Sequence, residues 1–281
     1  MGCPDWPKCF GHWIPPTNVS QLPPDYQNIY RVQGHPIEQF NAWKTWTESL
    51  NRYVTGILGI LLALQLLLAF RLRKTQASLF RLTLIPILLT VLVAGLGAFV
   101  VLTNLKTSLI TAHMLLSLLI LASQAFIVFR ASNSQKIKAS TSGLKPLLIG
   151  ILLLTLIQII LGTEVRSRVD VLLKTFDEGA RGNILPEVGR VFYNHGFFAW
   201  TILILNLFAA FRIWKDKEVY QAVKKIVWAL LCLFLLEIGA GATLSLFALP
   251  VYIQPVHLLL ATVIFGLQWL LVMKVSREHK N

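Results

Sequence analysis

Charge is scarce in this chain, and the places where it is missing define the class. Charged residues make up 14 % of 281, and only 13 of them are acidic. Seven apolar stretches contain no Lys or Arg at all: Tyr53–Phe70, Leu82–Leu105, Thr107–Phe129, Pro146–Thr163, Val191–Phe211, Ile226–Phe247 and Gln254–Met273. A helix needs about 20 apolar residues to cross a hydrocarbon core of roughly 30 Å. A soluble core could use one or two such runs; seven exclude a soluble globular protein. Lipid leaves apolar segments of this length little choice but helix. Cysteine is scarce too, with three in the chain. Only Cys3 and Cys9 are close, which argues against a zinc or copper site built from thiolates or ligands at short spacing. Cys232 falls inside an apolar run, where burial and chemical inertness are expected. No secretory leader is visible, because Met1-Gly2-Cys3-Pro4 has neither a charged nor an apolar region. Trp6 stands where a myristoylation signal beginning at Gly2 needs Ser or Thr.

The charge that is present sets an orientation. Arg71–Arg81, Arg130–Lys145, Arg212–Lys225 and the carboxyl-terminal tail together hold 16 Lys and Arg against 3 acids. The other side holds 10 Lys and Arg against 9 acids, with Glu237 left inside a span. The positive-inside rule puts the first set in the cytoplasm and the first 50 residues outside. These basic loops are too short to fold into a nucleic-acid-binding domain, so the net +13 gives topology, and membrane lipid is the partner it implies. The expected fold is an all-α polytopic membrane bundle.

The chain repeats itself. "HMLLSLLILASQ" from His113 and "HLLLATVIFGLQ" from His257 share an opening His and a Gln eleven residues later, Gln124 and Gln268. At the same offset of 144, Gly95 and Gly97 meet Gly239 and Gly241, and Asn51 meets His195. An internal duplication accounts for this set better than shared composition does. The expected divisions are an outer region with the cysteine pair over 1–52, a first half-bundle over 53–138 and a second over 139–281. The second half has four spans and the first three, so the partner of Pro146–Thr163 is expected upstream of Met1, lost by truncation or a misplaced start codon. Halves of four spans repeat in parallel, which excludes a transporter with inverted halves.

Asn51, His113, His195 and His257 all fall near the outer ends of spans that run inward. Two imidazoles meeting from separate helices at one depth form the arrangement that grips haem iron. Paired glycines let a flat macrocycle or a neighbouring helix come close. A lone His in a span is more often a packing residue, but three repeat-related positions favour iron. His12, His35 and His279 lie in loops or the tail and read as solvated. Cys3 and Cys9 flank "PDWPK" on the oxidising side, either as a structural disulfide or as a redox-active pair. Glu237 is a functional candidate by its position in a span, or else a hydrogen-bonding partner of a neighbouring helix.

Over nearly the whole chain these residues resemble the heme A synthase family. "GCPDWPKCFGHWIPPT" is similar to that family's first outer loop with its cysteine pair. "ESLNR" resembles its Glu-x-x-His-Arg motif, "QIILGTEVR" the end of its fifth helix and "QPVHLLLATVIFGLQ" its last helix. The resemblance implies an eight-helix protein of two four-helix halves in the bacterial cytoplasmic membrane, of which this chain carries 3 + 4 spans. It implies a haem b cofactor held by His195 and His257, and heme O as substrate in the first half with His113, Asn51 and Glu48. The implied reaction oxidises a ring methyl of heme O to the formyl group of heme A, used by terminal oxidases. The implied partners are heme O synthase for delivery and an electron donor that the sequence does not identify. Oligomeric state is open, a homo-oligomer included.

The chain departs from the resembled family at Asn51, where many members have His, and at Gly196, where Arg commonly follows the second-half His. An amide is a poor iron ligand, so a haem in the first half would rest on His113 with one axial position open, which suits oxidation chemistry. Glu48, one turn away, is the expected proton acceptor. Arg52 reads either as the partner of a haem propionate or as an interfacial anchor. The rival reading is a non-catalytic di-haem b cytochrome that relays electrons; the unequal pair Asn51 and His195 favours an enzyme.

Overall fold

A computed structural model of the chain describes residues 2–31, 36–37, 39–103, 106–132, 143–175 and 184–275. His35 and His279 lie outside the described residues. Seven helices are long and apolar enough to cross a membrane, and no strand occurs among the described residues. The chain is an all-α, multi-pass membrane protein. It separates into two compact units, Met1–Ile127 and Val128–Asn281.

The first unit opens with an amino-terminal segment containing a 3-10 turn (Val19–Gln21) and the short helix α1 (Tyr26–Ile29), and continues with α2 (Ala42–Arg71), α3 (Ala77–Leu102) and α4 (Thr107–Ala131). Cys3, Cys9, Phe10, Leu22 and Tyr26 form a small core in this amino-terminal segment, flanked by Tyr30, Ile37 and Phe40. Phe10 turns its ring edge-on to Tyr26, Tyr30 and Phe40. That ring sits on a strained turn, where Phe10 and Gly11 both have positive φ, 52° and 76°. Asp5 holds the turn by accepting from the Phe10 and Gly11 amides at 2.6 and 2.8 Å. Burial, and then the charge of Asp5, raise the Tyr30 phenol above its ordinary pKa.

Helix α2 starts eleven residues before the apolar run does. Asn41 caps it by accepting from the Lys44 amide at 3.0 Å, which satisfies one of the free amides of the first turn. The polar stretch with Glu48, Asn51 and Arg52 is therefore helical, continuous with the span. Reciprocal amide hydrogen bonds of 3.1 and 2.8 Å join Gln65 on α2 to Gln124 on α4. Pro86 is accommodated inside α3, where Thr90 Oγ1 donates to its carbonyl at 2.7 Å.

The second unit contains α5 (Leu144–Thr175), the short α6 (Ile184–Glu187), α7 (Arg190–Lys215), α8 (Lys217–Leu246) and α9 (Ile253–Val275). α5 packs on α7 and α9, and α8 packs on the same two helices. This closes a four-helix bundle with α7 and α9 across its diagonal. α5 runs beyond its apolar core; its carboxyl-terminal turns carry the i,i+4 pairs Arg168–Glu164 and Arg166–Asp170. There Val169 packs on Ile184, Leu185 and Val188. Gly189, with φ +73°, makes the turn into α7, a conformation that side chains disfavour.

One expectation is corrected. Cys232 is exposed rather than buried. The buried stripe of α8 is Val219, Val223, Val227, Leu230 and Phe234, and helical periodicity turns position 232 to the opposite, outward face.

Candidate functional site

His195 on α7 and His257 on α9 meet inside the second unit. Their ring centroids are 6.3 Å apart and their planes cross at 72°. Each ring lies against a glycine of an intervening helix. A Cβ at Gly162 on α5 would fall 3.2 Å from His195 Cε1, and one at Gly241 on α8 would fall 3.4 Å from His257 Cε1. The Nδ1 atoms of both rings are buried without a hydrogen-bond partner. Buried polar atoms are rarely left this way without a reason. Eleven residues further along α9, Gln268 ties the same two helices together through Asn206, at 3.4 Å.

This arrangement suits an iron between the rings. An imidazole nitrogen binds a metal at about 2.0–2.1 Å with the ring centre ~1.1 Å behind it, so two in-line imidazoles on one iron have centroids roughly 6.3 Å apart. The separation of the two rings agrees. Among the described residues no group of three or more His, Cys, Asp or Glu could hold a metal ion. A haem supplies its own four equatorial nitrogens and needs only axial ligands from the protein.

The first unit repeats half of this geometry. His113 on α4 lies against Gly97 on α3, where a Cβ would fall 3.4 Å from its Cε1, and its Nδ1 is also buried and unpartnered. Asn51 is exposed on α2. No hydrogen bond or ring contact joins its side chain to His113 among the described residues.

Glu48 and Arg52 are turned to the amino-terminal cysteine loop. Glu48 Oε2 accepts from the amides of Gly2 and Cys3 at 2.8 and 3.1 Å, while its Oε1 pairs with Arg52 at 2.7 Å. Arg52 also donates to the carbonyls of Asp5 and Lys8 at 2.8 and 2.9 Å. Thr45 Oγ1 donates to the Gly2 carbonyl at 2.9 Å. Residues 45, 48 and 52 form one stripe of α2, and the loop is laced to it. Gly2 lies so close that a Cβ would fall 2.3 Å from the Lys44 carbonyl oxygen. Cys3 and Cys9 are joined within this loop, Sγ to Sγ 2.04 Å, and Ser49 Oγ lies 3.3 Å from Cys3 Sγ. Tyr53 adds a hydrogen bond from its hydroxyl to the Trp13 carbonyl.

The COX15-CtaA family, described as cytochrome oxidase assembly protein, matches residues 1–269. The chain belongs to the COX15-CtaA family. A heme A synthase of Shewanella oneidensis is 29 % identical over 164 residues, covering 58 % of this chain and 47 % of that protein. The chain thus spans about half the length of that relative. No solved structure matches.

Within this COX15-CtaA chain, sequence reasoning named the histidines and the glycines at 97 and 241 but missed Gly162. Its repeat position is 18, an Asn in the amino-terminal segment, so the repeat carried no signal for it. It also missed Gln158, which donates from α5 to the His195 carbonyl at 3.0 Å. The partners of the repeat glutamines, Gln65 and Asn206, are not themselves related by the repeat and went unread as well.

Proposed function

We propose that this chain is a heme A synthase: it oxidises a ring methyl of heme O to the formyl group of heme A in a bacterial cytoplasmic membrane. The observation that carries the reading is the facing pair His195 and His257, each backed by a glycine, in a chain of the COX15-CtaA family. Their spacing supports a haem b held by both. When bound, that haem supplies one-electron transfer, to which two axial imidazoles are suited.

Heme O is the substrate, assigned to the first unit with His113 as its axial ligand. Gly97 keeps the face of that imidazole clear. Asn51 offers an amide where the repeat has His195, so His113 alone would hold the iron of heme O in the first unit. Glu48, half-buried on the same helix and paired with Arg52 at 2.7 Å, is the proposed proton acceptor. The basic loops support a cytoplasmic carboxyl terminus and an outer cysteine loop. An electron donor and the enzyme that makes heme O are the expected partners.

The test is to purify the full chain from cells making heme O, extract its haems and separate them chromatographically. Heme A alongside a low-spin haem b is expected, and His195→Ala or His257→Ala should abolish the low-spin signal. A low-spin haem b that survives in the double variant would falsify the assignment. Haem b without any conversion of heme O would instead support the electron-relay reading.

A further inference from the structure

Glu237 stands in the middle of an apolar stretch of α8, and its side chain is only 17 % exposed. Carboxylates are costly at such positions and are retained for a use. Its Oε1 lies 3.2 Å from Nδ1 of His257, while its Oε2 is buried with no hydrogen-bond partner. The ring N–H is not yet aimed at Oε1, so the contact is close without being a formed hydrogen bond.

The carboxylate serves one imidazole of the three. His195 has Gln158 on the adjoining helix, and that amide bonds the His195 backbone. At the repeat offset, Val93 occupies the place of Glu237, so His113 has no corresponding acid. The acid is thus confined to the unit assigned to electron transfer.

We propose that Glu237 is a positioning residue for His257 as an iron ligand. This rests on the haem reading above. A ligating imidazole binds through Nε2 and carries its proton on Nδ1. In the haem-loaded protein that N–H would donate to Glu237 Oε1, now 3.2 Å away, fixing the rotation of the ring and making the imidazole a stronger electron donor. A stronger donor stabilises ferric over ferrous iron, so Glu237 lowers the haem potential; second-shell hydrogen bonding is one of the protein's levers on that potential.

The test uses the purified haem-loaded protein, with redox titration and electron paramagnetic resonance as readouts. Glu237→Gln keeps the shape and removes the charge. It should retain low-spin haem while its midpoint rises, with the reduced-to-oxidised ratio at a fixed potential changing about tenfold, ~59 mV for a one-electron couple. The g-values should move with it, and Glu237→Asp should restore both in part. Glu164→Gln, at an exposed ion pair on α5, should change neither. Folded Glu237→Gln protein that loses haem, with recovery in Glu237→Asp, also supports the proposal. An unshifted midpoint and unchanged g-values in loaded Glu237→Gln overturn it. So does failure of both variants to accumulate as monodisperse protein, because Glu237 then serves assembly. Loss of the haem reading itself looks different: the wild type would lack a low-spin haem, or one would survive without His195 and His257.

Discussion

Gly162 lies beneath the imidazole of His195, where a Cβ would fall 3.2 Å from Cε1. That is tighter than ordinary van der Waals contact, so the ring must yield by a few tenths of an ångström. At Gly241 the corresponding distance to His257 is 3.4 Å, which a small adjustment absorbs. Gly162→Ala should therefore reduce haem retention by about tenfold, the lower end of the range for changes just behind a metal ligand. Gly241→Ala should stay near wild type. Haem content per protein measures both, and equal effects would mean that the glycines do not set the ring positions.

The Glu48 carboxylate accepts two amide hydrogen bonds from the cysteine loop as well as the Arg52 pair. Glu48→Gln should loosen the loop, and the Cys3–Cys9 bond should be reduced several-fold faster by a soluble thiol. If the carboxylate also accepts protons during turnover, heme A formation should fall by about 10²–10⁴-fold with haem b content unchanged. Faster reduction with normal heme A formation would leave Glu48 as a loop anchor alone.

Cys3 and Cys9 are both buried in the small core of the amino-terminal segment. Alkylation of the unfolded protein without reductant should label neither, and labelling after reduction should reach both. Mass spectrometry of the first peptide reads the result. Full labelling before reduction would mean that the pair is held as thiols in the cell.

The Gln65–Gln124 pair links α2 and α4 within their apolar stretches. Hydrogen bonds between membrane helices contribute about 0.6 kcal/mol on average and ~1.7 at most. Gln124→Leu should lower the stability of the detergent-solubilised protein by about 1–2 kcal/mol, since both bonds go at once. Thermal unfolding followed by size-exclusion fluorescence measures it; an unchanged midpoint would show the pair to be incidental.

The spans were legible because apolar length is a local property that seven separate runs state independently. The pairing of His195 with His257 was legible because duplication repeats both their spacing and their depth. The anchoring of the outer loop was not. Glu48 reaches amides 45 and 46 residues away, and those amides belong to backbone that has no sequence signature. Gly162 was missed for a related reason. A missing side chain means something only once the ring that fills its place is known. Cys232 was misread because an apolar run says nothing about which face of a helix meets protein and which meets lipid.

That outward face makes Cys232 a ready-made depth gauge. It sits at the middle of the 30-residue α8, about 22 Å from either end at 1.5 Å per residue. With the other two of the chain's three cysteines joined to each other, a nitroxide can be attached at this one position without removing any native residue. Its collision rates with dissolved oxygen and with an aqueous nickel chelate would locate the bilayer midplane along α8. The vertical position of Glu237, little more than one turn further along, follows from the same measurement.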